Sequence, residues 1–71
     1  MKTNQDNILR IKEVEAKVGL KRSTLYALMD SGDFPQSIKL GKRAVGWSEL
    51  ELDAWLANRI QARDKTLKPI D

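Results

Sequence analysis

The chain has 71 residues, a formal net charge of +3, and neither cysteine nor histidine. That length allows one small domain with a thin core. The missing residue types exclude disulfide staples, the usual zinc sites, and nucleophilic catalysis through Cys–His or Ser–His pairs. No loop spaces the remaining carboxylates like a calcium site, so neither a metal nor a cofactor is expected. Apolar runs such as Ala54-Trp55-Leu56-Ala57 fall far short of the roughly 20 residues of a membrane span. Nor does the polar start, Met1 to Asn7, resemble a signal peptide. The expectation is a soluble cytoplasmic protein.

Charge is unevenly distributed. From Arg10 to Arg43 there are eight basic and four acidic residues, whereas from Ala44 to Asp64 there are two basic and four acidic. A basic part beside an acidic part fits an oriented anion-binding surface. Ordinary solvated charge fits equally on this ground alone.

In chain order, residues 1–7 are polar and expected to be disordered. Ile8-Leu9-Arg10-Ile11 suits a brief strand or the lead into a helix. Ile11, Val14 and Val18 then recur at helical spacing, and Gly19 supplies the left-handed residue that ends a helix. A second helical stripe, Leu25, Leu28 and Met29, closes at Ser31-Gly32, and Pro35 blocks a restart. Two short helices joined through a glycine-containing turn make a helix-turn-helix.

Ile38-Lys39-Leu40 alternates like a strand. Gly41-Lys42-Arg43 is a turn, and Ala44 to Trp47 returns as the partner strand with Val45 and Trp47 on one face. Ser48 caps a third helix, with Glu51 at capping-box spacing and Trp47 and Leu52 at staple spacing. Leu52, Trp55, Leu56 and Ile60 form its stripe, and the expected helix covers 49–63. Residues 64–71 are expected to be a loose tail. The predicted core is Val14, Val18, Leu20, Leu25, Leu28, Phe34, Ile38, Leu40, Val45, Trp47, Leu52, Trp55 and Leu56. The fold class is α+β, mostly α: a winged helix-turn-helix over 8–63, with a two-stranded wing and a C-terminal helix.

The segments Gly19-Leu20, Arg22 to Tyr26, Gly32-Asp33-Phe34-Pro35, Lys39-Leu40-Gly41, Ala44 to Trp47 and Asp53 to Leu56 carry a resemblance in their combination and order. Residues 9–63 resemble the AlpA family of small phage and genomic-island regulators. That family lies within a MerR-like group of winged helix-turn-helix proteins that also holds excisionases. The resemblance implies sequence-specific binding to double-stranded DNA at a promoter or at attachment-site repeats. It implies either activation of an integrase gene or direct action in excision, with integrase or RNA polymerase as a further partner. Two positions depart from the family pattern. Lys21 stands where Ser or Thr commonly caps the second helix, and Ala27 stands where a basic residue is common.

On that reading the second helix enters the major groove. Arg22 can fork onto guanine O6 and N7, Ser23 can meet a base edge or phosphate, and Tyr26 a phosphate or a thymine methyl. Lys21 adds a phosphate ligand. In the wing, Lys42, Arg43 and Lys39 can follow phosphates or enter the minor groove, while Arg10 and Lys12 are secondary phosphate candidates. The plain alternatives are a solvated charge for Arg22, a local backbone contact for Ser23, a half-buried core ring for Tyr26, and edge-strand protection for the lysines. Thr24 is expected to face inward. Glu49, Glu51 and Asp53 follow from the helix dipole; Glu49 and Asp53 share a face and are a candidate protein contact. No coiled-coil heptad argues for a stable dimer, so a monomer that assembles cooperatively on DNA is expected. A protein-interaction or antitoxin-like module is the alternative from another class; no activated nucleophile or acid–base pair points to an enzyme.

Overall fold

The computed structural model describes residues 6–66. Its elements run β1 (Ile8–Leu9), α1 (Ile11–Val18), α2 (Arg22–Asp30), β2 (Ile38–Lys39), β3 (Val45–Ser48) and α3 (Glu49–Thr66). The strands form one antiparallel sheet in the order β1-β3-β2. This is the expected helix-turn-helix, wing and closing helix. One strand is added: Ile8-Leu9, readable either way from sequence, pairs with β3 and extends the wing's sheet to three strands.

The two glycines at helix ends do what their positions require. Gly19 ends α1 at φ 75° and donates to the Glu15 carbonyl at 2.8 Å. Beyond α2, Gly32 adopts φ 82° and donates to the Met29 carbonyl at 3.1 Å, while Asp33 donates to Leu28 at 2.8 Å. Together these two bonds form the Schellman arrangement that satisfies the last carbonyls of a helix.

Val14, Leu25, Phe34, Trp47 and Leu52 form the buried core, drawn from both helices of the helix-turn-helix, the following loop, β3 and α3. Leu9, Ile11, Val18, Leu20, Leu28, Met29, Val45 and Trp55 pack against it half-buried. Phe34 meets Trp55 edge-on at 4.8 Å between ring centroids, and the Trp55 indole donates to the Asp33 carbonyl at 2.6 Å.

Ile38 and Leu40 correct the expected core, being 39% and 46% exposed. The cause is the register. Ile38 pairs with Gly46 and Lys39 with Val45, so Lys39 shares the inward face of Val45 and Trp47 and the two apolar residues point to the outer face. The period of two was read correctly but assigned to the opposite face. Ile60 also leaves the expected stripe, at 51% exposed, because α3 extends past the body of the core. Thr24 is exposed rather than inward-facing.

On the outer face, Ile8 and Leu40 close over Gly46. A Cβ on Gly46 would collide with the Ile8 side chain and lie 3.1 Å from both Leu40 Cδ1 and the Leu9 carbonyl oxygen. Gly46→Ala is therefore expected to cost about 1–3 kcal/mol through overpacking. A urea melt of G46A that coincides with wild type would refute this.

The start of α3 is held from far away in sequence. Ser48 Oγ accepts from the Glu51 N–H at 3.2 Å, as expected of a cap. The carboxylate in the cap is not that of Glu51. Asp6 accepts from the Ser48 hydroxyl and, at 3.0 Å, from the Leu50 N–H, and the Asn7 carbonyl accepts from the Glu49 N–H at 2.8 Å. Three donors that a helix start leaves open are thus satisfied. Of the segment expected to be disordered, Asp6 and Asn7 make these bonds and residues 1–5 lie outside the described residues. At the other end, α3 continues to Thr66, and the remainder of the expected tail, 67–71, also lies outside them.

One hydrogen-bonded carboxylate and one ion-paired ammonium contribute to the pH dependence of stability. The Ser48 hydroxyl and then the Leu50 and Glu49 N–H groups hold the Asp6 carboxyl below its ordinary value of 3.8. Asp53 and then Glu49 raise the Lys17 ammonium above its ordinary 10.5, at 2.9 and 3.2 Å. The Asp6 contribution is present above pH 3.8 and is lost as pH falls through the lower folded value. The Lys17 contribution is complete below 10.5 and is lost as pH rises through the higher folded value. Urea midpoints should therefore fall at both extremes, and Asp6→Asn should flatten the acid limb alone. An unchanged acid limb in D6N would remove Asp6 from the account.

Candidate nucleic-acid interface

α2 presents two sides. Leu25 is buried, with Leu28 and Met29 half-buried beside it, whereas Lys21, Arg22, Ser23, Tyr26 and Ala27 are exposed. This division follows from the 3.6-residue period of the stripe. Lys21 occupies the N-cap and, having no side-chain acceptor, makes no capping hydrogen bond. No acidic residue stands in the first turn of α2. An open cleft lined by Glu15, Lys21, Arg22, Ser23 and Tyr26 lies at this end.

Arg22 and Tyr26 are neighbours one turn apart. The guanidinium carbon lies 5.8 Å from the centre of the Tyr26 ring, within cation–π range. Tyr26 is 38% exposed, and its ring meets Trp47 edge-on at 6.4 Å between centroids. One ring therefore serves both readings made from sequence: one edge packs on the core, and part of the surface remains in solvent.

Lys39, Lys42 and Arg43 are all exposed. Lys42 and Arg43 sit in the turn closed by the Leu40 and Gly41 N–H groups, which donate to the Ala44 carbonyl at 2.7 and 3.2 Å. Lys39 lies on the sheet face that it shares with Val45 and Trp47, the face against which Tyr26 of α2 packs. Sequence periodicity gave no sign of this. It put Lys39 on the face opposite the core, whereas the register sets it on the face of Val45 and Trp47.

Lys12 is exposed on α1. Arg10, also exposed, donates from Nε to the Val45 carbonyl at 3.0 Å, a contact the sequence did not signal. Glu49 and Asp53 share a face of α3 as their spacing requires, and both hold Lys17. The tryptophans offer no stacking platform: Trp47 is wholly buried, and Arg59 covers Trp55 at 4.9 Å. Among the described residues, no group of three acidic, His or Cys side chains is placed to hold a metal ion, and no helix is long and apolar enough to cross a membrane.

Comparison with known proteins identifies relatives along most of the chain. The chain is 43% identical over 61 residues to an uncharacterized protein, ORF88, of Enterobacteria phage P4, covering 86% of this chain and 69% of that protein. It is 38% identical over 58 residues to the DNA-binding transcriptional activator AlpA of Escherichia coli (strain K12), covering 73% of this chain and 83% of that protein. The family described as prophage CP4-57 regulatory protein (AlpA) matches residues 7–60, nearly the whole of the folded unit. The chain belongs to the AlpA family of prophage regulatory proteins.

Proposed function

We propose that this protein is a double-stranded-DNA-binding transcriptional regulator of a prophage or genomic island. α2 is the recognition helix. Arg22 forks onto a guanine, Tyr26 and Ser23 meet a thymine methyl, base edge or phosphate, and Lys21 meets a phosphate. The wing's Lys42 and Arg43 follow the adjoining backbone or minor groove together with Lys39, and Lys12 adds a phosphate contact from α1. The observation that carries this reading is the common side of α2 and the wing. Tyr26 packs on Trp47, whose face of the sheet also bears Lys39 by register, and this supports helix and wing facing the same duplex. The relative from E. coli, named a DNA-binding transcriptional activator, supports the same class.

The finer role is activation of an adjacent integrase gene, with a direct excision role at attachment sites as its counterpart. The protein acts in the cytoplasm, without a cofactor and without enzymatic chemistry, as a monomer that assembles on repeated sites. Footprinting on DNA flanking its own gene and the nearest attachment site tests both roles. Protection at a promoter supports activation; protection at the attachment arms supports excision. An NMR titration with the best-bound duplex that shifts neither residues 22–26 nor 42–43 would overturn the interface itself.

A further inference from the structure

We infer that Arg10 is a positioning residue that fixes the attitude of the wing relative to the helix-turn-helix; this rests on the DNA-binding reading given above. Its stem is immobilised. The Arg10 carbonyl accepts from the Val14 N–H at 2.9 Å, its N–H donates to Glu13 Oε1 at 2.8 Å, and the preceding Leu9 pairs with Trp47. From that anchor Nε reaches the Val45 carbonyl at 3.0 Å. Val45 is the first residue of β3, two positions after Arg43 at the wing's tip.

The direction of the carbonyls explains why a side chain is needed there. The Ala44 carbonyl faces β2, where it accepts from Leu40 and Gly41. In an extended strand the next carbonyl points the other way, toward β1. But β1 ends at Leu9, and Ile11, which the register of β1 on β3 would set opposite Val45, already opens α1. No main-chain donor of β1 meets Val45, and the Arg10 side chain takes that place in the ladder. The bond ties the N-cap of α1, which packs on α2, to the root of the turn that carries Lys42 and Arg43. β2, only two residues long and exposed at both, gives the wing little other support.

Two substitutions separate this role from a phosphate contact, because they divide charge from hydrogen bond. Arg10→Gln removes the charge but keeps an N–H donor the same number of bonds from Cα as Nε. Arg10→Lys keeps the charge but places its nitrogen one atom farther out; Arg10→Met removes both. Each full-length protein is titrated by fluorescence anisotropy, across a range of salt, onto a labelled duplex that wild type has selected from a random pool. Backbone amide shifts of residues 41–46 are recorded for each free protein.

R10Q should bind within about threefold of wild type with the salt slope nearly intact, whereas R10K and R10M should each lose about tenfold. In R10K the slope should fall by about 1.8, two phosphates' worth, although net charge is unchanged. Free R10K and R10M should shift the wing amides, and R10Q should not. The inference is overturned if R10Q loses about 0.9 of slope while R10K binds like wild type, the result a phosphate ligand would give. It is equally overturned if the amides of residues 41–46 are alike in all four proteins. If wild type selects no duplex, the DNA-binding reading fails by itself, and the amide shifts still decide whether Arg10 holds the wing.

Discussion

Trp47→Ala is expected to leave the domain largely unfolded at room temperature. Trp47 is wholly buried in β3 among Val14, Leu25, Phe34 and Leu52, and removing a buried Trp side chain costs about 3–5 kcal/mol. In a chain this short a single core rarely supplies more than about 3–5 kcal/mol, so one substitution removes most of the margin. The loss reaches α2 as well, because Tyr26 rests edge-on against the same indole. Trp47→Phe should cost much less. It keeps a ring in the space, and it removes an indole N–H that is buried without a protein partner. Far-UV circular dichroism and proton NMR read both variants. A W47A protein with dispersed amide resonances and a cooperative melt near that of wild type would refute the claim that this side chain holds the sheet to the helices.

The second large effect concerns DNA. Neutralising Arg22, Lys42 and Arg43 together as glutamines should lower the slope of log K against log salt by about 2.7, three phosphate-sized increments. Affinity at moderate salt should fall on the order of a hundredfold to a thousandfold. The fold should survive, since all three side chains are exposed. A milder change at the same helix distinguishes reading from attraction. Arg22→Lys retains the charge but loses the planar fork, so its salt slope should stay near wild type while discrimination at one base pair drops by about 1–3 kcal/mol. Equal loss on matched and mismatched duplexes in R22K would show that Arg22 only neutralises charge. A triple variant with wild-type affinity and salt dependence would place the DNA surface elsewhere on the molecule.

Local chemistry made much of this fold legible. Gly19 and Gly32 marked helix ends because a left-handed residue is needed there, and Ser48 marked a helix start because its hydroxyl reaches three residues ahead. Leu25 and Trp47 were legible as core from their periods. The rest depends on partners distant in sequence. Nothing near Asp6 signals a cap, since its partners at the start of α3, Ser48 and Leu50, lie 42 and 44 residues beyond it. Ile38 and Leu40 were placed inward because alternation separates the two faces of a strand without saying which one meets the core; only pairing with Gly46 decides that. The exposed basic side chains of the candidate interface were recognisable by type and spacing. The face taken by Lys39 was not, because it follows from the same pairing, and the reach of Arg10 to Val45 depends on where β1 stops.

The clasp that Asp6 and Asn7 make at the head of α3 bears on how the protein is born. A ribosome makes Asp6 and Asn7 early, yet their partners lie at the end of β3 and the start of α3, more than 40 residues later. A nascent chain halted after Ala44 holds both short helices but neither Trp47 nor Leu52, so it lacks two of the five side chains of the buried core. The buried core is therefore complete only once β3 and α3 have joined the two short helices.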